Sequence, residues 1–285
     1  MNRRVKVVEK LGFAILFMCV IATLLFLGSI IYFILARGIS IISWEFLTQP
    51  PRSGMTEGGV APVIVGTLYL TLGAILFAMP LGLASAIFLT EYTPKNVVVN
   101  ILRISVNNLA GVPSVVFGLF GLAVFVKFFG FGVSILSGSL TLGILILPGI
   151  ISASQEALIA IPQSFREASL ALGATKWQTI RRVVLPSSIS GILTGVILSV
   201  GRAAGETAPI IFTAAVFYAR GYPDSVFSEV MALPYHIYGL MTEGTHPAEQ
   251  TQIAYGCALL LMFLVIFISA IAIYFRQKQR RVHYG

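Results

Sequence analysis

The polar residues of this chain are concentrated between six long apolar stretches. Each stretch is close to or above the roughly 20 residues with which a helix crosses a hydrocarbon core of about 30 Å. The stretches are Phe13–Ile34, Val63–Leu89, Ile104–Val126, Ser139–Ile159, Ser187–Phe217 and Gln252–Phe275. The pattern therefore predicts an all-α membrane protein with six transmembrane helices.

Composition agrees with this pattern. Hydrophobic residues make up 57% of the 285 and charged residues only 11%, whereas a soluble domain has about a quarter charged. The basic start "MNRRVKVVEK" before the first stretch could belong to a secretory signal. The apolar core that follows is longer than the usual 7 to 15 residues and lacks an Ala-x-Ala site, which favours a retained first span.

Prolines and glycines cluster in the segment after the first stretch, Arg37–Pro62, which contains "TQPPRSGMTEGG". Such a cluster predicts irregular structure and allows a domain boundary near Val63, with an ordinary long loop as the alternative. The predicted units are 1–62, with the first span and an outer loop; 63–275, the transmembrane core; and 276–285, a basic tail.

The net charge of +8 has a one-sided distribution. If the N-terminus is cytoplasmic and loops alternate, 14 of the 19 lysines and arginines fall on the inner side and 4 on the outer side, with Arg202 inside a span. This bias predicts that both termini are cytoplasmic. The basic residues therefore orient the chain in membrane lipid, and no nucleic-acid partner is expected.

Residues that could carry catalysis are sparse. The two cysteines, Cys19 and Cys257, lie inside predicted spans. The three histidines lack the spacing of metal ligands; they are His236, His246 and His283. No G-x-x-x-x-G-K-[ST] phosphate-binding loop is present. The chain is therefore not expected to be an enzyme or to hold a metal or cofactor, and any ATP hydrolysis belongs to a partner.

The inner loop between the fourth and fifth stretches, "IPQSFREASLALGATKWQTIRRVVLP", is too patterned for a simple connection. Ser164 and Glu167 have the spacing of a capping box, which predicts a helix start. Three apolar residues of this helix would share one face: Phe165, Ala168 and Leu172. Gly173 is suited to the end of this helix, and the segment "TKWQTIRRVVL" predicts a second helix. Pro186 then marks the start of the fifth span.

This loop resembles the EAA loop of ATP-binding-cassette importer permeases. The matching positions are Glu167, Ala168, Gly173, Leu185 and Pro186. Ser169 and Val183 replace an alanine and an isoleucine of the pattern, and both replacements preserve size. The resemblance implies that the loop over 164–186 docks on an ATPase subunit.

Further segments are similar to permeases of the high-affinity phosphate importer, with the second of its two permeases the best match. They are Asn108–Gly121, Gly201–Thr213 and the second stretch. The resemblance implies a type I importer fold of one N-terminal helix plus a five-helix core, in the bacterial inner membrane. It also implies a second, related permease chain, two ATP-binding subunits that hold ATP and Mg, and an external phosphate-binding protein.

Arg202 and Glu206 are charged residues in the fifth stretch, four positions apart. On one continuous helix this spacing puts both side chains on the same face, and a rise of 1.5 Å per residue from Ser190 puts Arg202 about 18 Å deep. Intramembrane arginines usually face a bundle interior or a water-filled cavity. The pair is therefore either a transient oxyanion site, with Glu206 moderating the affinity of Arg202, or a structural ion pair.

Pro113 and Ser114 form a second candidate anion site. If the third span is broken there, the helix start would expose unpaired amides and a hydroxyl. The alternative is a plain kink in the helix.

Three other functions remain open from the residues. The spans would suit molybdate or sulfate as well as phosphate, because all are tetrahedral oxyanions. An ion-driven secondary transporter would need internal repeats and intramembrane carboxylates, and only Glu206 qualifies. A membrane scaffold or sensor without transport is the third alternative.

Overall fold

The computed structural model describes residues 3–93, 96–219 and 221–284, and it is almost wholly helical. In chain order, the elements are α1 Arg3–Gly38, α2 Trp44–Thr48, β1 Pro51–Arg52, β2 Glu57–Gly58, α3 Ala61–Ile87, α4 Val97–Ala110, α5 Ser114–Gly121, α6 Ile135–Ile159, α7 Gln163–Ala171, α8 Lys176–Thr179, α9 Leu185–Gly205, α10 Ala208–Thr213, α11 Leu233–Thr242 and α12 Pro247–Tyr284. Wider π-helical turns extend three of these helices: Phe88–Tyr92 after α3, Leu122–Phe128 after α5 and Ile180–Val184 before α9.

Within the described residues, five helices are long and apolar enough to cross a membrane. A sixth span is present if α4 and α5, which meet at 98°, count as one broken span. The third predicted span, Ile104–Val126, is therefore broken next to Pro113 rather than merely kinked. The break falls at Gly111–Pro113, because proline has no N–H to donate and disfavours helical geometry in the residue before it.

The fifth span also differs from the expected continuous helix over Ser187–Phe217. Helix α9 ends at Gly205, and Glu206 is extended, with φ −74° and ψ 127°. Pro209 explains the position of the break, since its ring would clash with the carbonyl four residues earlier, that of Gly205. The chain resumes as the short helix α10.

At its N-terminal end, the same helix starts earlier than expected. A continuous helix runs from Lys176 to Gly205, so the predicted second helix of the inner loop and the fifth span are one element. The wider turn Ile180–Val184 directly precedes Leu185 and Pro186. That turn leaves room for the proline ring, which a regular helical turn would not.

Helix α6 lies at the centre of the bundle between α3 and α9, and 67% of its most apolar window is buried. Small residues let α6 and α9 approach closely. A methyl group added at Gly191 would lie 2.7 Å from the Ala157 side chain, and Gly195 faces Ala153 in the same way one turn later. Close approach of this kind provides the van der Waals contact that stabilises helix pairs in lipid.

The most apolar window of α1 has no buried residues in this chain, consistent with a helix that faces lipid or another subunit. It contacts α12 near its own C-terminal end, where the Phe33 and Tyr255 rings meet edge to face at 5.4 Å. The following loop, expected to be irregular, contains α2 and the antiparallel pair β1–β2. Gln250 of α12 donates to the Gly54 carbonyl at 2.9 Å. The domain boundary near Val63 stays a prediction.

Candidate coupling loop and anion site

The inner loop forms α7, a tight turn and α8, as the sequence predicts, but the cap is different. Pro162 is the N-cap residue of α7 and makes no side-chain cap, so the expected capping box of Ser164 and Glu167 is absent. The capping box lies instead at α8, where Thr175 and Gln178 exchange side-chain to backbone hydrogen bonds. Proline has no side-chain acceptor to act as a cap, and its carbonyl accepts the first backbone bond of α7, from Phe165 N–H at 3.2 Å.

Gly173 ends α7, as predicted. Its φ of +80° is a left-handed conformation that glycine adopts without a side-chain clash. Gly173 N–H donates to the Leu170 carbonyl at 2.9 Å, and Ala174 N–H donates to the Ser169 carbonyl at 3.3 Å. These two bonds are the Schellman arrangement, which satisfies carbonyls that the helix end leaves free.

The outward side of α7 is open to a partner. Leu172 is 90% exposed, and Phe165, Glu167 and Ala168 are also exposed. The inward side is tied to the helix that follows, because the Ser169 and Thr179 hydroxyls are 2.9 Å apart. An apolar surface with one carboxylate, on the exposed side of a short helix at the edge of the bundle, is suited to insertion into a cleft of another protein.

The five residues that match the EAA pattern do not form one surface. Glu167 and Ala168 lie on the exposed helix and Gly173 in the turn, whereas Leu185 and Pro186 are half-buried where the wider turn meets α9. The last two therefore shape the connection between loop and span rather than contact a partner through open surface.

A contact that the sequence analysis missed anchors the loop. Arg166 of α7 forms an ion pair with Glu91, which lies in the wider turn after α3, at 2.8 Å. The residues are 75 positions apart. The available signal was a carboxylate at the inner end of an apolar stretch, but sequence spacing alone cannot show which base it meets.

In the candidate anion site, the structure places the side chains of Arg202 and Glu206 in contact. Arg202 Nε lies 3.2 Å from Glu206 Oε1. The two residues do not share a helix, since Arg202 lies in the last turn of α9 and Glu206 lies in the break after it. The contact uses only Nε, and the described residues provide no second carboxylate for the guanidinium. The Arg202 side chain is 46% exposed and that of Glu206 17%.

Pro113 and Ser114 lie at the other break. Pro113 is the N-cap of α5 and Ser114 its first helical residue, one position later than expected. Within the described part of the chain, the N–H groups of Ser114 and Val115 have no backbone acceptor. The start of α5 therefore presents free donors of the kind that bind anions.

The two breaks lie on neighbouring elements. A methyl group added at Gly118 of α5 would lie 3.0 Å from the Ala208 carbonyl oxygen and 2.8 Å from the Phe212 ring of α10. Helix α10 begins two residues after Glu206. No hydrogen bond joins Ser114 to Arg202 or Glu206 among the residues that the structure describes. The fold thus brings the two candidate sites into one region without joining them.

Comparison with known proteins shows which family has this architecture. Residues 78–282 match the family model described as "Binding-protein-dependent transport system inner membrane component". The chain is 31% identical to the "Probable ABC transporter permease protein YqgI" of Bacillus subtilis, over 94% of each chain. It is 36% identical to the "Phosphate transport system permease protein PstA" of Mycobacterium leprae, over 96% of this chain and 90% of the relative.

Solved structures show the same fold. A chain of a bacterial ABC transporter involved in alginate import superposes with a TM-score of 0.63 at 17% identity, covering 97% of this chain and 99% of that one. Permeases of this type work with an ATPase and a substrate-binding protein. The family match over most of the chain, the shared fold and the inner loop lead to one conclusion: this chain belongs to the binding-protein-dependent transport system inner membrane components, the multi-pass permeases of ABC transporters.

Proposed function

We propose that this chain is a transmembrane permease subunit of an ATP-driven importer of inorganic phosphate. The observation that carries the proposal is the 36% identity, over 96% of the chain, with a permease named for phosphate transport. The proposed complex contains a second, different permease chain, two ATP-binding subunits that hold ATP and Mg, and an external phosphate-binding protein. This chain itself needs no cofactor.

The proposed location is the bacterial inner membrane with both termini cytoplasmic. Two features support this orientation: the excess of lysine and arginine on one set of loops, and the broken pair α4–α5. If that pair crosses as one span, the chain has six crossings, and an even number returns the C-terminus to the starting side. The loop with α7 then faces the cytoplasm, where an ATPase would bind it.

In the proposed mechanism, α7 and its turn form the contact with the ATPase. A cleft on that subunit would hold the exposed side chains of this loop, which are Phe165, Glu167, Ala168 and Leu172. Gly173 keeps the turn tight, and Leu185 and Pro186 connect it to α9. Nucleotide-driven movement of the ATPase would therefore reach the fifth span directly, because one helix runs from Lys176 to Gly205.

The proposed anion route passes Arg202. Because Glu206 contacts only Nε, the two Nη groups of the guanidinium remain available to donate to two oxygens of one phosphate. The carboxylate orients the arginine and repels the bound anion, which favours release. The free amides at Ser114, beside Pro113, provide a second place for the anion. A purely structural role for the Arg202–Glu206 pair is the alternative that experiment must exclude.

Uptake of labelled phosphate into proteoliposomes tests the anion route. The vesicles contain the permease pair, the ATPase and the binding protein. We expect Arg202→Lys to lower uptake about tenfold or more, because an ammonium group cannot reproduce the two-pronged donation. Arg52→Lys, at an exposed arginine of the outer loop, is the matched control. Near-normal uptake by a fully assembled Arg202→Lys complex would refute the arginine's proposed role.

The same vesicles separate the alternative functions. Uptake that persists without ATP but follows an imposed ion gradient would indicate a secondary transporter, and no uptake at all would indicate a scaffold or sensor. Competition by molybdate or sulfate equal to that by phosphate would indicate a different oxyanion as substrate.

Co-purification tests ATPase docking. Proline fixes φ near −65°, so Gly173→Pro cannot keep the φ of +80° that the turn requires. We expect this variant to lose the ATPase while still assembling with the second permease. Gly130→Pro imposes the same conflict at an exposed turn after α5, where φ is +69°, and is expected to keep the ATPase. Retention of the ATPase by Gly173→Pro would contradict docking through this loop.

A further inference from the structure

The ion pair between Arg166 and Glu91 connects α7 to the body of the bundle. The Arg166 Nη2 and Nε atoms lie 2.8 and 3.2 Å from Glu91 Oε1. Both side chains are largely buried, with exposed fractions of 13% for Arg166 and 8% for Glu91. A pair in this setting is shielded from water and salt, so it is held more firmly than a surface ion pair.

The same guanidinium also binds the end of α6. Arg166 Nη1 donates to the Ile161 carbonyl at 2.7 Å, and Nη2 donates to the Leu158 carbonyl at 2.9 Å. Carbonyls at a helix C-terminus lack partners within the helix, and a cationic donor there is favoured by the helix dipole as well. One side chain of α7 therefore holds the inner ends of both α3 and α6.

These two ends belong to a packed unit. Leu158 is fully buried in a cluster with Ala86 of α3 and Val184 of the wider turn before α9. A displacement of Arg166 is thus passed to helices that are close-packed with each other, and such a unit moves as one body rather than deforming.

The rest of the contact between α7 and the bundle is loose. A cavity of about 600 Å³ lies between them, and Arg166, Glu91, Lys176 and Leu170 contribute to its lining. The α7 side chains Phe165 and Leu172 point to the exposed surface rather than into this space. Apolar packing therefore does not hold α7 in place, and its polar contacts through Arg166 and Ser169 carry the connection.

We propose that Glu91 and Arg166 are positioning residues that transmit movement of α7 to the inner ends of α3 and α6. This inference rests on the proposed function, in which α7 docks on the ATPase. It adds a second path for that movement, beside the continuous helix from Lys176 through α9, because the ion pair reaches the inner ends of α3 and α6 directly. Without the pair, movement of α7 would reach α3 and α6 only through their packing against α9, and less of it would be converted into transport.

The chemistry of the pair predicts graded effects. Glu91→Gln removes the charge while keeping the size, and leaves the buried guanidinium without its counter-ion. Arg166→Lys keeps the charge, but lysine has a single nitrogen donor. That nitrogen cannot donate at once to Glu91 and to two carbonyls that lie on different sides of it. Lysine is therefore expected to restore part, but not all, of the function lost in Arg166→Ala.

The test measures phosphate moved per ATP hydrolysed, in proteoliposomes that contain the complete complex. For Glu91→Gln and Arg166→Ala we expect normal co-purification of the ATPase, continued ATP hydrolysis and a fall of about tenfold in phosphate per ATP, within the range of typical coupling free energies. Arg166→Lys should lie between these variants and the wild type. A merely structural pair would lower assembly and melting temperature instead and leave the ratio unchanged.

Glu156→Gln is the matched control, because Glu156 is an exposed carboxylate at the same end of α6. It is expected to keep the wild-type ratio. Wild-type ratios in both Glu91→Gln and Arg166→Ala, in complexes whose wild type transports phosphate, would overturn the positioning role and leave the proposed function standing. Absence of ATP-dependent phosphate transport by the wild type would overturn the proposed function and this inference with it.

Discussion

His236 of α11 makes the stability of this protein depend on pH. The residue lies on α11, which is not one of the candidate spans, and its ring is 1% exposed, beside the Phe217 ring. Burial lowers the pKa of His236 from 6.5 to about 4, and the Phe217 backbone opposes this shift only in part. The folded protein therefore holds a neutral imidazole at pH values at which the unfolded chain is protonated.

The sign and size of the effect follow from proton linkage. Above pH 6.5 neither state binds the proton, so His236 leaves the free energy of unfolding unchanged. Between pH 6.5 and 4 only the unfolded state binds it, so stability falls as the pH falls, and below the folded pKa the loss is complete. The folded and unfolded pKa values differ by about 2.5, and each pKa unit corresponds to about 1.36 kcal/mol, so the free energy of unfolding falls by about 3 kcal/mol.

Thermal unfolding in detergent, followed at pH 7.5 and 4.5, measures this loss. About 3 kcal/mol corresponds to a fall in melting temperature of about 6 °C for a chain of this size. Carboxylates also titrate over this range, so the diagnostic quantity is the pH effect in the wild type minus that in His236→Leu. We expect the variant to lose several degrees less than the wild type.

A matched control removes an exposed imidazole. His246→Gln replaces the ring at the start of α12, where it is open to solvent, and should retain the full wild-type fall in melting temperature. Equal pH effects in wild type and His236→Leu would refute the argument that burial of the neutral ring costs stability at low pH.

The packing and hydrogen bonds of the bundle support three further predictions. Gly195→Val should lower the melting temperature or prevent assembly, because Gly195 faces the Ala153 side chain and added methyl groups would force α6 and α9 apart; Gly205→Ala, where a methyl group meets open space, is the control. Thr67→Val should destabilise the protein by about 1–3 kcal/mol, since the Thr67 hydroxyl accepts from the buried N–H at the start of α11 at 2.8 Å, and a melting temperature equal to that of the wild type would contradict this. Gly118→Ala should reduce phosphate uptake more than it reduces complex yield, because it separates α5 from α10 near the proposed anion route, and unchanged uptake would argue against that route.

The periodicity and composition of the sequence were sufficient to predict a membrane protein. The local residue pattern was sufficient to predict the turn of the inner loop. The apolar lengths predicted the spans because a bilayer imposes one dimension on every helix that crosses it. Gly173 was predicted correctly because its requirement is local: a helix end with positive φ suits glycine. The helix start at Ser164 was predicted wrongly, because the helix begins one residue earlier, at Gln163, with Pro162 as a cap that has no polar side chain.

The breaks in the third and fifth spans required the three-dimensional structure. Proline in an apolar stretch is compatible with a kink or a full break, and neighbouring helices decide between them by satisfying the freed backbone groups. At Pro113 the outcome is a 98° bend, and at Pro209 it is an interrupted helix with Glu206 in the gap. The count of residues from Ser190 to Arg202 lies within the continuous helix α9, whereas the shared helical face of Arg202 and Glu206 assumed a helix that continues through Glu206, which the structure does not contain.

By itself, the sequence determined that this chain is a multi-helix membrane protein whose loop over 164–186 forms a helix, a turn and a second helix, because length, hydropathy and turn chemistry act over short distances. Only the tertiary structure decided which charges far apart in sequence meet. Arg202 and Glu206 could be paired from spacing alone, whereas Arg166 and Glu91 are 75 residues apart, and their contact depends on where α3, α6 and α7 end relative to one another. Helix packing sets those positions, and no local pattern encodes them.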